Sequence, residues 1–580
     1  MTGRLFPFLR WPRPTGGLLR ADLRAGIVVG LMVVPQSVAY AALAGMPPIT
    51  GVYASLLPSV VAALFGAAPR VAVGPTALTC LLVYSALSGL ASPGSAHWVE
   101  LAVWLALTTG ALQLVLGMAR LGWIIRLVNS PVMMAFTQAA AVLIIGTQLA
   151  AVLGLPSLAT VFDGAAAWHL PSTLFGVGSF LLLWAARKAW PTFPTVLVVV
   201  LGSAAISHGL GYAQAGGAVI GELPQGFPAL QWPAVPPLET LGHLLAPTLI
   251  IALVSFLEVA SAARTDLAGA GGWRKDQELV GQGLAKIAAG LCGAFPTSAS
   301  FSRTALNIFA GARSAWASVF AVGVVLLMLL FCAPVLALVP RPVLASVVLV
   351  AVVGLIKPRQ FQALWRFSRV EACIALLTFV ATIATAPNLY GGIALGMLLS
   401  LAHFHVRRLH PRVVEVGLHP DGSLRDRHHW ALPPLQAHTH AIRFDAALDF
   451  ATSAAFVDAI ARHLDHHPDT RRVCLFAGSI NWLDATGAES FLATTHMLRQ
   501  RQVPFCICGL KTVVLAQLTT AGWQPESHWV RTFSTEAELM AYLQSAGDCA
   551  QPAPLQAEAL AGTVRGQPAH VASPGPVLSR

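Results

Sequence analysis

Long apolar runs separated by short polar loops fill the chain from residue 25 to residue 406. Each run approaches the roughly 20 residues that a helix needs to cross a bilayer, and the runs are rich in Gly and Pro. The pattern predicts fourteen membrane segments in two sets of seven. The first set is 25–45, 50–67, 75–91, 101–118, 131–153, 170–186 and 194–212, and the second is 243–262, 278–293, 300–312, 314–337, 342–356, 370–385 and 390–406.

Beyond Pro411 the apolar runs shorten to strand length and alternate with helical stretches. Such alternation predicts a small α/β domain, which we place at 436–547 after a linker at 407–435. Residues 548–580 are rich in Pro, Ala and Gly, and we predict a disordered tail. Residues 1–24 lack the short apolar core and cleavage site of a signal peptide, so we predict a retained cytoplasmic arm there.

The distribution of charge supports a membrane protein and argues against a nucleic-acid partner. Hydrophobic residues make up 56% of the chain and charged residues 11%, whereas about a quarter of residues are charged in soluble proteins. Residues 1–412 hold 24 Lys and Arg against 10 Asp and Glu, and residues 413–580 hold 12 against 15. With both termini inside, the external loops contain only Arg341, as expected for a plasma or bacterial inner membrane.

Two segments at matching places in the two sets are interrupted. The third segment of the first set begins VAVGPT at residues 71–76, and that of the second begins FPTSASFSRT at residues 295–304. Broken helices at equivalent places in two inverted halves indicate a binding site near the membrane midplane. Helix N-termini carry free N–H groups and partial positive charge, so the predicted ligand is an anion.

Two charged residues in the apolar segments are candidates for function. A guanidinium such as that of Arg303 is costly in the membrane unless it faces a cavity or a partner. Arg303 therefore either attracts the anion or braces the broken helix. Glu258 either couples transport to protons or remains an ionised partner of Arg303, because burial and a nearby cation shift its protonation in opposite directions.

Four polar side chains accompany these charges. Gln36 and Tyr40 are one turn apart after Pro35, so they share a helix face and either line the cavity or join helices by hydrogen bonds. Ser300 and Ser302 lie at the start of the second half-helix, where hydroxyls either cap free N–H groups or contact the ligand.

These residues carry a family resemblance. The run VPQSVAYAALAG at residues 34–45, followed by PITGVYA at residues 48–54, resembles the signature of the sulfate permease (SulP) anion transporters. SFSRTA at residues 300–305 is similar to their tenth-helix motif. The resemblance extends to about residue 544. It implies an inverted repeat of seven plus seven segments, a core and a gate domain, substrate between segments three and ten, and an elevator-like movement.

The resemblance also assigns roles to residues of this chain. It places the following at or beside the substrate: Gln36, Tyr40, Thr76, Ala77, Ser300, Phe301, Ser302 and Arg303. Glu258 occupies the position of the acid that proton- or sodium-linked members keep. Ala262 lacks a hydroxyl found in some sodium-coupled members, which favours protons over sodium as the coupling ion. Ala299 replaces a Gly that is common in the tenth-helix motif.

The C-terminal domain resembles a STAS domain, the usual companion of SulP transporters. Its marker is NWLDATG at residues 481–487, between a predicted strand and a predicted helix. Asp484 is expected to cap that helix, and Thr486 lies either in a simple capped turn or at a phosphorylation site. By resemblance we expect a homodimer and a cytoplasmic protein partner for this domain. The His-rich stretches lack zinc-site spacing and predict solvated surface; they are His428-His429, His438-Thr439-His440, and His463 with His466-His467.

The sequence thus favours a secondary transporter of sulfate, bicarbonate or a dicarboxylate. The alternative is an anion channel or sensor on the same scaffold. An enzyme is not expected, because the chain shows no constellation of nucleophile, metal or nucleotide-binding residues. No cofactor is expected beyond a coupling proton.

Overall fold

The computed structural model describes residues 6–127, 129–155, 169–189, 194–221, 224, 226–230, 232–266, 273–524 and 529–546. The chain forms two compact units, Met1–Leu401 and Ala402–Arg580, and each is described by itself. The predicted tail at 548–580 lies outside the described residues.

The described residues of the first unit form helices, connecting loops and two very short strands. Its first half contains α1 (Gly16–Leu43), α2 (Pro48–Tyr53), α3 (Leu57–Phe65), β1 (Val73–Gly74), α4 (Ala77–Leu87), α5 (Ala96–Met118), α6 (Ser130–Val152), α7 (Leu170–Ala189) and α8 (Thr195–Gly209). Its second half contains α9 (Leu238–Asp266), α10 (Lys275–Leu291), β2 (Ser298–Ala299), α11 (Phe301–Phe309), α12 (Trp316–Ala337), α13 (Arg341–Val353), α14 (Pro358–Phe367), α15 (Arg369–Ala384) and α16 (Tyr390–Leu409).

Each predicted segment coincides with one helix or, for the second segment, with the pair α2 and α3. The helix α14 was not predicted, and α1 begins at Gly16, inside the predicted N-terminal arm. Seven helical stretches of the described residues are long and apolar enough to cross a membrane. Fourteen crossings therefore stay a prediction. The seven are Gly16–Leu43, Pro48–Phe65, Ala96–Met118, Ser130–Val152, Leu238–Arg264, Trp316–Ala337 and Arg341–Phe367.

Helix packing in the first unit repeats between its two halves, as the predicted seven-plus-seven arrangement requires, and the inversion of one half stays a prediction. Each of four helix contacts has an equivalent contact in which each helix is replaced by the helix seven predicted segments away. The contact α5–α10 corresponds in this way to α12–α3, and α1–α12 corresponds to α9–α5. The contact α6–α15 likewise corresponds to α13–α7, and α4–α9 corresponds to α11–α1. All eight contacts exist. One group of helices contains α1 to α5 with α9 to α12, and a second contains α6, α7, α13 and α15, with α14 packed on α15. The helix α8 contacts members of both groups.

The two interrupted segments meet as an antiparallel pair of two-residue strands. Val73 lies opposite Ala299, and Gly74 lies opposite Ser298. This pairing gives hydrogen-bond partners to backbone that has left the helical conformation, which the interior of a membrane domain requires. Each strand leads directly into a short helix, α4 or α11.

The longest helix contact of the first group, α5 against α10, depends on glycine. A Cβ on Gly283 would lie 2.6 Å from the backbone nitrogen of Leu114 and 2.7 Å from the carbonyl oxygen of Gly110. A Cβ on Gly110 would lie 2.7 Å from the carbonyl oxygen of Gly283. Because the two backbones touch, neither position has space for a side chain, as is usual where membrane helices pack closely.

Buried carboxylates fasten the loops at the ends of these helices. Asp22 of α1 accepts hydrogen bonds from the backbone N–H of Arg313, at 2.6 Å, and of Ser314, at 3.2 Å. Glu278 of α10 accepts bonds from the backbone N–H of Ala67, at 2.7 Å, and of Ala68, at 3.1 Å. These carboxylates satisfy backbone donors that the loops would otherwise bury without partners.

The second unit is the predicted α/β domain. Its strands are β3 (Val413–Leu418), β4 (Leu424–Asp426), β5 (Thr439–Phe444), β6 (Arg472–Phe476), β7 (Phe505–Cys508) and β8 (Val530–Phe533). Its helices are α17 (Ser453–His466), α18 (Ala485–Gln500), α19 (Thr512–Thr520) and α20 (Glu536–Ala546). The strands form one sheet in the order β4-β3-β5-β6-β7-β8, in which β5 to β8 are parallel.

Alternate residues of the central strands enter two apolar cores on opposite faces of the sheet. Leu475 and Ile507 face the core that contains Phe456 and Phe491, whereas Cys474 and Cys506 face the core beneath α20. The region 407–435, which we predicted as a linker, contains β3 and β4, and β3 pairs with β5. Residues of this region are therefore part of the sheet. The strand β4 has only three residues, two of them charged, so its sequence does not indicate a strand.

We expect Gly283→Ala to destabilise the membrane domain. The added methyl group would push α5 and α10 apart, at a cost of about 1–3 kcal/mol for overpacking. Thermal unfolding in detergent, followed by size-exclusion chromatography, should show a lower midpoint. The matched control is Gly323→Ala in α12, where a Cβ meets no atom within 4 Å. Equal midpoints for the two variants would show that the α5–α10 contact tolerates a side chain.

Candidate functional site

Two short helices begin beside each other where β1 and β2 pair. The hydroxyl of Thr76 caps α4 by accepting a hydrogen bond from the Thr79 N–H, at 3.3 Å. The hydroxyl of Ser300 caps α11 in the same way, accepting from the Arg303 N–H at 3.4 Å. The first backbone N–H groups of a helix have no partner within the helix, and each capping side chain satisfies only one of them. The N–H groups of Ala77 and Phe301, the first residues of α4 and α11, therefore have no partner within their helices. Both helices thus present positive ends to the same region.

Arg303 connects the two interrupted segments and has further N–H donors without a partner among the described residues. Its side chain is 1% exposed, and its Nη2 donates to the carbonyl oxygen of Pro75 at 2.7 Å. Its Nε and Nη1 atoms are buried and have no hydrogen-bond partner among the described residues. Arg303 therefore braces the first broken helix, as one sequence interpretation held, and also retains buried donors that suit an anion.

Glu258 of α9 lies on the other side of the same turn. Its carboxylate accepts hydrogen bonds from the hydroxyl of Thr76, at 3.1 Å, and from the hydroxyl of Thr79, at 3.0 Å. No ion pair joins Glu258 to Arg303 in the described part of the chain; each residue instead holds its own atom of the Pro75-Thr76 turn. The interpretation of Glu258 as a direct ionic partner of Arg303 is thus not what the geometry shows.

A second buried cation, Lys286 of α10, was not singled out from the sequence. It is fully buried, and its Nζ donates to the side-chain oxygen of Gln113 at 2.9 Å. Gln113 in turn donates to the carbonyl oxygen of Ala252, at 2.7 Å, one helical turn and a half before Glu258. Lys286 interacts electrostatically with Glu258. A lysine in the middle of the apolar segment 278–293, whose other charged residue is Glu278 at its start, was the available signal, because ionisable residues in membrane segments are functional candidates.

The remaining predicted residues lie around this turn. Tyr40 interacts electrostatically with both Arg303 and Glu258, and Gln36 lies one turn earlier on the same helix, α1, which packs against α4 and α11. Gln36 and Tyr40 are buried, whereas Phe301 is 54% exposed. Because the first residue of α11 is open, the end of that helix is accessible to a ligand.

Phe301 and Ser302 are both exposed at the start of α11, and the Ser302 hydroxyl lies 3.3 Å from that of Ser300. Ala77, at the start of α4, is buried at 8% exposure. The eight residues that the resemblance places at the substrate therefore belong to the elements that converge on the β1–β2 pair. The arrangement can hold a small anion between two helix N-termini and a guanidinium, with a carboxylate one turn away.

The STAS-like loop belongs to the other unit. Asp484 caps α18 by accepting from the Gly487 N–H, at 2.8 Å, and also accepts from the Phe450 N–H, at 3.0 Å. The Thr486 side chain is exposed in the first turn of α18. This geometry is that of the capped turn predicted from the sequence, and phosphorylation of Thr486 stays a prediction.

One histidine departs from the predicted solvated surface. His440 is 5% exposed and stacks on His463, with ring centroids 3.3 Å apart; His467 stacks on the other side of His463 at 4.4 Å. Burial and the two neighbouring imidazoles lower the pKa of His463 to about 4. Among the described residues no group of three or more His, Cys, Asp or Glu is arranged to bind a metal.

Comparison with known proteins agrees with this architecture. The sulfate permease family profile matches residues 19–378, and the STAS domain profile matches residues 433–539. Sulfate transporter 4.1 of Arabidopsis thaliana is 32% identical over 93% of this chain and 83% of its own length. A probable sulfate transporter of Mycobacterium tuberculosis (strain ATCC 25618 / H37Rv) is 29% identical over 87% of this chain and 91% of its own length.

Solved structures share the fold. Murine solute carrier 26 family member A9, in an inward-facing state, superposes with a TM-score of 0.82 at 19% identity and covers 93% of this chain and 94% of that one. The transmembrane domain of the cyanobacterial bicarbonate transporter BicA gives a TM-score of 0.56 at 22% identity, over 67% of this chain and 98% of that one. The chain therefore belongs to the sulfate permease family of anion transporters, with a multi-pass membrane domain followed by a STAS domain.

Proposed function

We propose that this chain is a proton-coupled secondary transporter of a small oxyanion, with sulfate as the first candidate and bicarbonate or a dicarboxylate as the others. The observation that carries the proposal is the Pro75-Thr76 turn, held by Arg303 on one side and by Glu258 on the other. The names of the relatives favour sulfate: those from Arabidopsis thaliana and Mycobacterium tuberculosis are called sulfate transporters.

The anion would bind between the N-termini of α4 and α11. Free N–H groups and the dipoles of both helices favour negative charge there. Arg303 adds two buried donors without partners, and a buried donor without a partner is costly until a ligand supplies an acceptor. Oxyanions offer several acceptor oxygens at once and match a planar guanidinium better than a single spherical ion does.

Glu258 would link this site to protons. An ionised carboxylate near the anion repels it, and protonation removes the repulsion. Substrate and proton then bind cooperatively, and by linkage each increases the affinity for the other by the same factor. The hydroxyls of Thr76 and Thr79 contact Glu258, so its protonation also changes the capping of α4 directly.

The anion would cross the membrane when one group of helices moves relative to the other. The site lies wholly within the group of α1 to α5 with α9 to α12, and the other group can serve as the gate against which it moves. An elevator-type displacement would carry the β1–β2 pair and both half-helices as one body. We further propose a homodimer in the plasma membrane or bacterial inner membrane, with both termini cytoplasmic and the STAS domain available to a protein partner.

An anion channel or sensor is the second candidate for the same scaffold. A channel cannot accumulate its ion against a gradient, whereas a proton-coupled transporter can. Uptake of labelled sulfate into proteoliposomes with an imposed pH gradient, compared with uptake without one, separates the two. A panel of sulfate, bicarbonate and dicarboxylates in the same assay identifies the substrate.

Arg303→Ala should weaken sulfate binding by roughly tenfold or more, because it removes charge-assisted hydrogen bonds worth about 1.5–3 kcal/mol. The measurement is the sulfate concentration that produces half of the maximal thermal stabilisation of the purified protein. Arg303→Lys keeps the charge but loses the planar fork of donors, so its sulfate affinity should lie between those of the wild type and Arg303→Ala.

A purely structural role of Arg303 leads to a different expected result. If the guanidinium only holds the Pro75 carbonyl, Arg303→Ala would lower the melting temperature without sulfate and leave the sulfate dependence unchanged. That outcome would overturn the proposed contact with substrate.

Glu258→Gln should keep sulfate binding and exchange but lose accumulation driven by a pH gradient, because glutamine imitates a permanently protonated carboxyl group. Uptake with and without the gradient is measured for wild type and variant. Glu100→Gln is the control, since Glu100 is a partly exposed carboxylate in α5 that pairs with His97. A Glu258→Gln protein that still accumulates sulfate in response to the gradient would refute the coupling role.

Truncation after Pro411 should preserve sulfate-dependent stabilisation, because every proposed site residue precedes it and the sheet of the second unit begins at Val413. Regulation, trafficking or assembly should change instead. A monodisperse truncated protein that no longer responds to sulfate would show that the STAS domain contributes to the site.

A further inference from the structure

An apolar groove lies away from the substrate site, among α6, α14 and α15. Its lining includes Val142 of α6, Phe361 and Trp365 of α14, and Leu376 and Phe379 of α15. Its volume is about 320 Å³. Leu376 and Trp365 are half exposed, so the groove opens toward the surroundings of the helices.

The groove offers no free polar group to a ligand. Among the described residues of its lining, Gln138 is the only one with an amide, hydroxyl or charged side chain, and its side-chain oxygen accepts the Lys357 N–H at 2.9 Å. Its amide nitrogen donates to the side-chain oxygen of Gln360 at 3.5 Å. A lining that is otherwise aliphatic and aromatic favours an alkyl chain as the occupant.

The helix α14 separates apolar from cationic side chains. Phe361 and Trp365, four residues apart, line the groove, whereas Arg359 and Arg366 lie on the opposite face at helical spacing. None of the residues of α14 is buried. A helix with aromatic groups on one face and arginines on the other is typical of the membrane interface, where the apolar face points into the lipid.

Positive charge is concentrated in α14 and the residues that flank it. Residues 357–371 contain four basic residues, Lys357, Arg359, Arg366 and Arg369, and one acidic residue, Glu371. None of these four side chains forms an ion pair with a residue that the structure describes. The loop charges assign this end of α6 and α15 to the cytoplasm, where anionic lipids are enriched in bilayers.

We infer that the groove binds an anionic phospholipid, with one acyl chain between α6 and α15 and the phosphate beside the cationic residues of α14. A second copy of this chain is a poorer occupant, because residues 1–412 hold only 10 acidic residues against 24 basic ones and offer little to pair with four more cations. The lipid would join α14 to α6 and α15 within the gate group.

The test uses full-length protein, delipidated and then titrated with phosphatidylglycerol in detergent. Native mass spectrometry should show one tightly held phosphatidylglycerol, bound at least several-fold more tightly than phosphatidylcholine with the same chains. Glycerophosphoglycerol, which lacks acyl chains, should not bind at the same concentrations. Equal retention of phosphatidylcholine, or equal binding of the deacylated compound, would overturn the inference.

Matched variants locate the site. Leu376→Trp fills the groove and should abolish retention, whereas Leu377→Trp, on the neighbouring exposed position outside the lining, should not. If Leu376→Trp does not fold, Val142→Trp fills the groove from the opposite wall. The double change Arg359→Gln and Arg366→Gln should remove the preference for the anionic headgroup, and Arg20→Gln with Arg24→Gln, exposed on α1, is its control.

Retention that is unchanged in both groove-filling variants would place the lipid elsewhere. A dimer that becomes monomeric in Leu376→Trp but not in Leu377→Trp, by mass photometry, would identify the groove as an interface between two copies and would also overturn the inference.

Discussion

Backbone polar groups inside a membrane domain must find partners, and the pairing of β1 with β2 is how this chain meets that requirement where two of its segments leave the helical conformation. The rest of the site depends on this pair. It fixes where α4 and α11 begin, and so it brings two helix N-termini to one place. It also exposes the carbonyl of Pro75 to Arg303 and the hydroxyl of Thr76 to Glu258.

Opposite charges are thus kept close without neutralising each other. A direct ion pair between Arg303 and Glu258 would consume the donors that an anion needs and would stabilise the ionised carboxylate throughout. In the structure Arg303 contacts the Pro75 carbonyl and Glu258 contacts the Thr76 hydroxyl, and in the proposed function this separation would let one charge respond to substrate and the other to protons. Lys286 adds a further buried cation near Glu258, tied to α9 through Gln113, so α10 also takes part in the balance of charge.

Close helix packing provides the rigid support that this arrangement needs. At Gly110 and Gly283 the backbones of α5 and α10 touch, which holds α10, and therefore Lys286, against the helix that carries Gln113. The second group, which we propose as the gate, differs at the groove, where α14 packs on α15 and none of the residues of α14 is buried. Tight packing around the site and open apolar surface at the gate are consistent with one group that moves as a body and another that contacts lipid.

Many features of the structure could be predicted from the sequence, because membrane segments are long apolar runs and the loops between them contain charged residues. The positions of the helices, the interrupted third and tenth segments, the presence of Arg303 and Glu258 in or near them, and the α/β character of the C-terminal domain all follow from local pattern or from motifs. What the tertiary structure decided is which groups meet. The separation of Arg303 from Glu258, the burial of Lys286 beside Gln113, and the stacking of His440 on His463 join residues that are distant along the chain. The membership of β3 and β4 in the sheet likewise depends on pairing with β5, and no local pattern of residues encodes such long-range contacts.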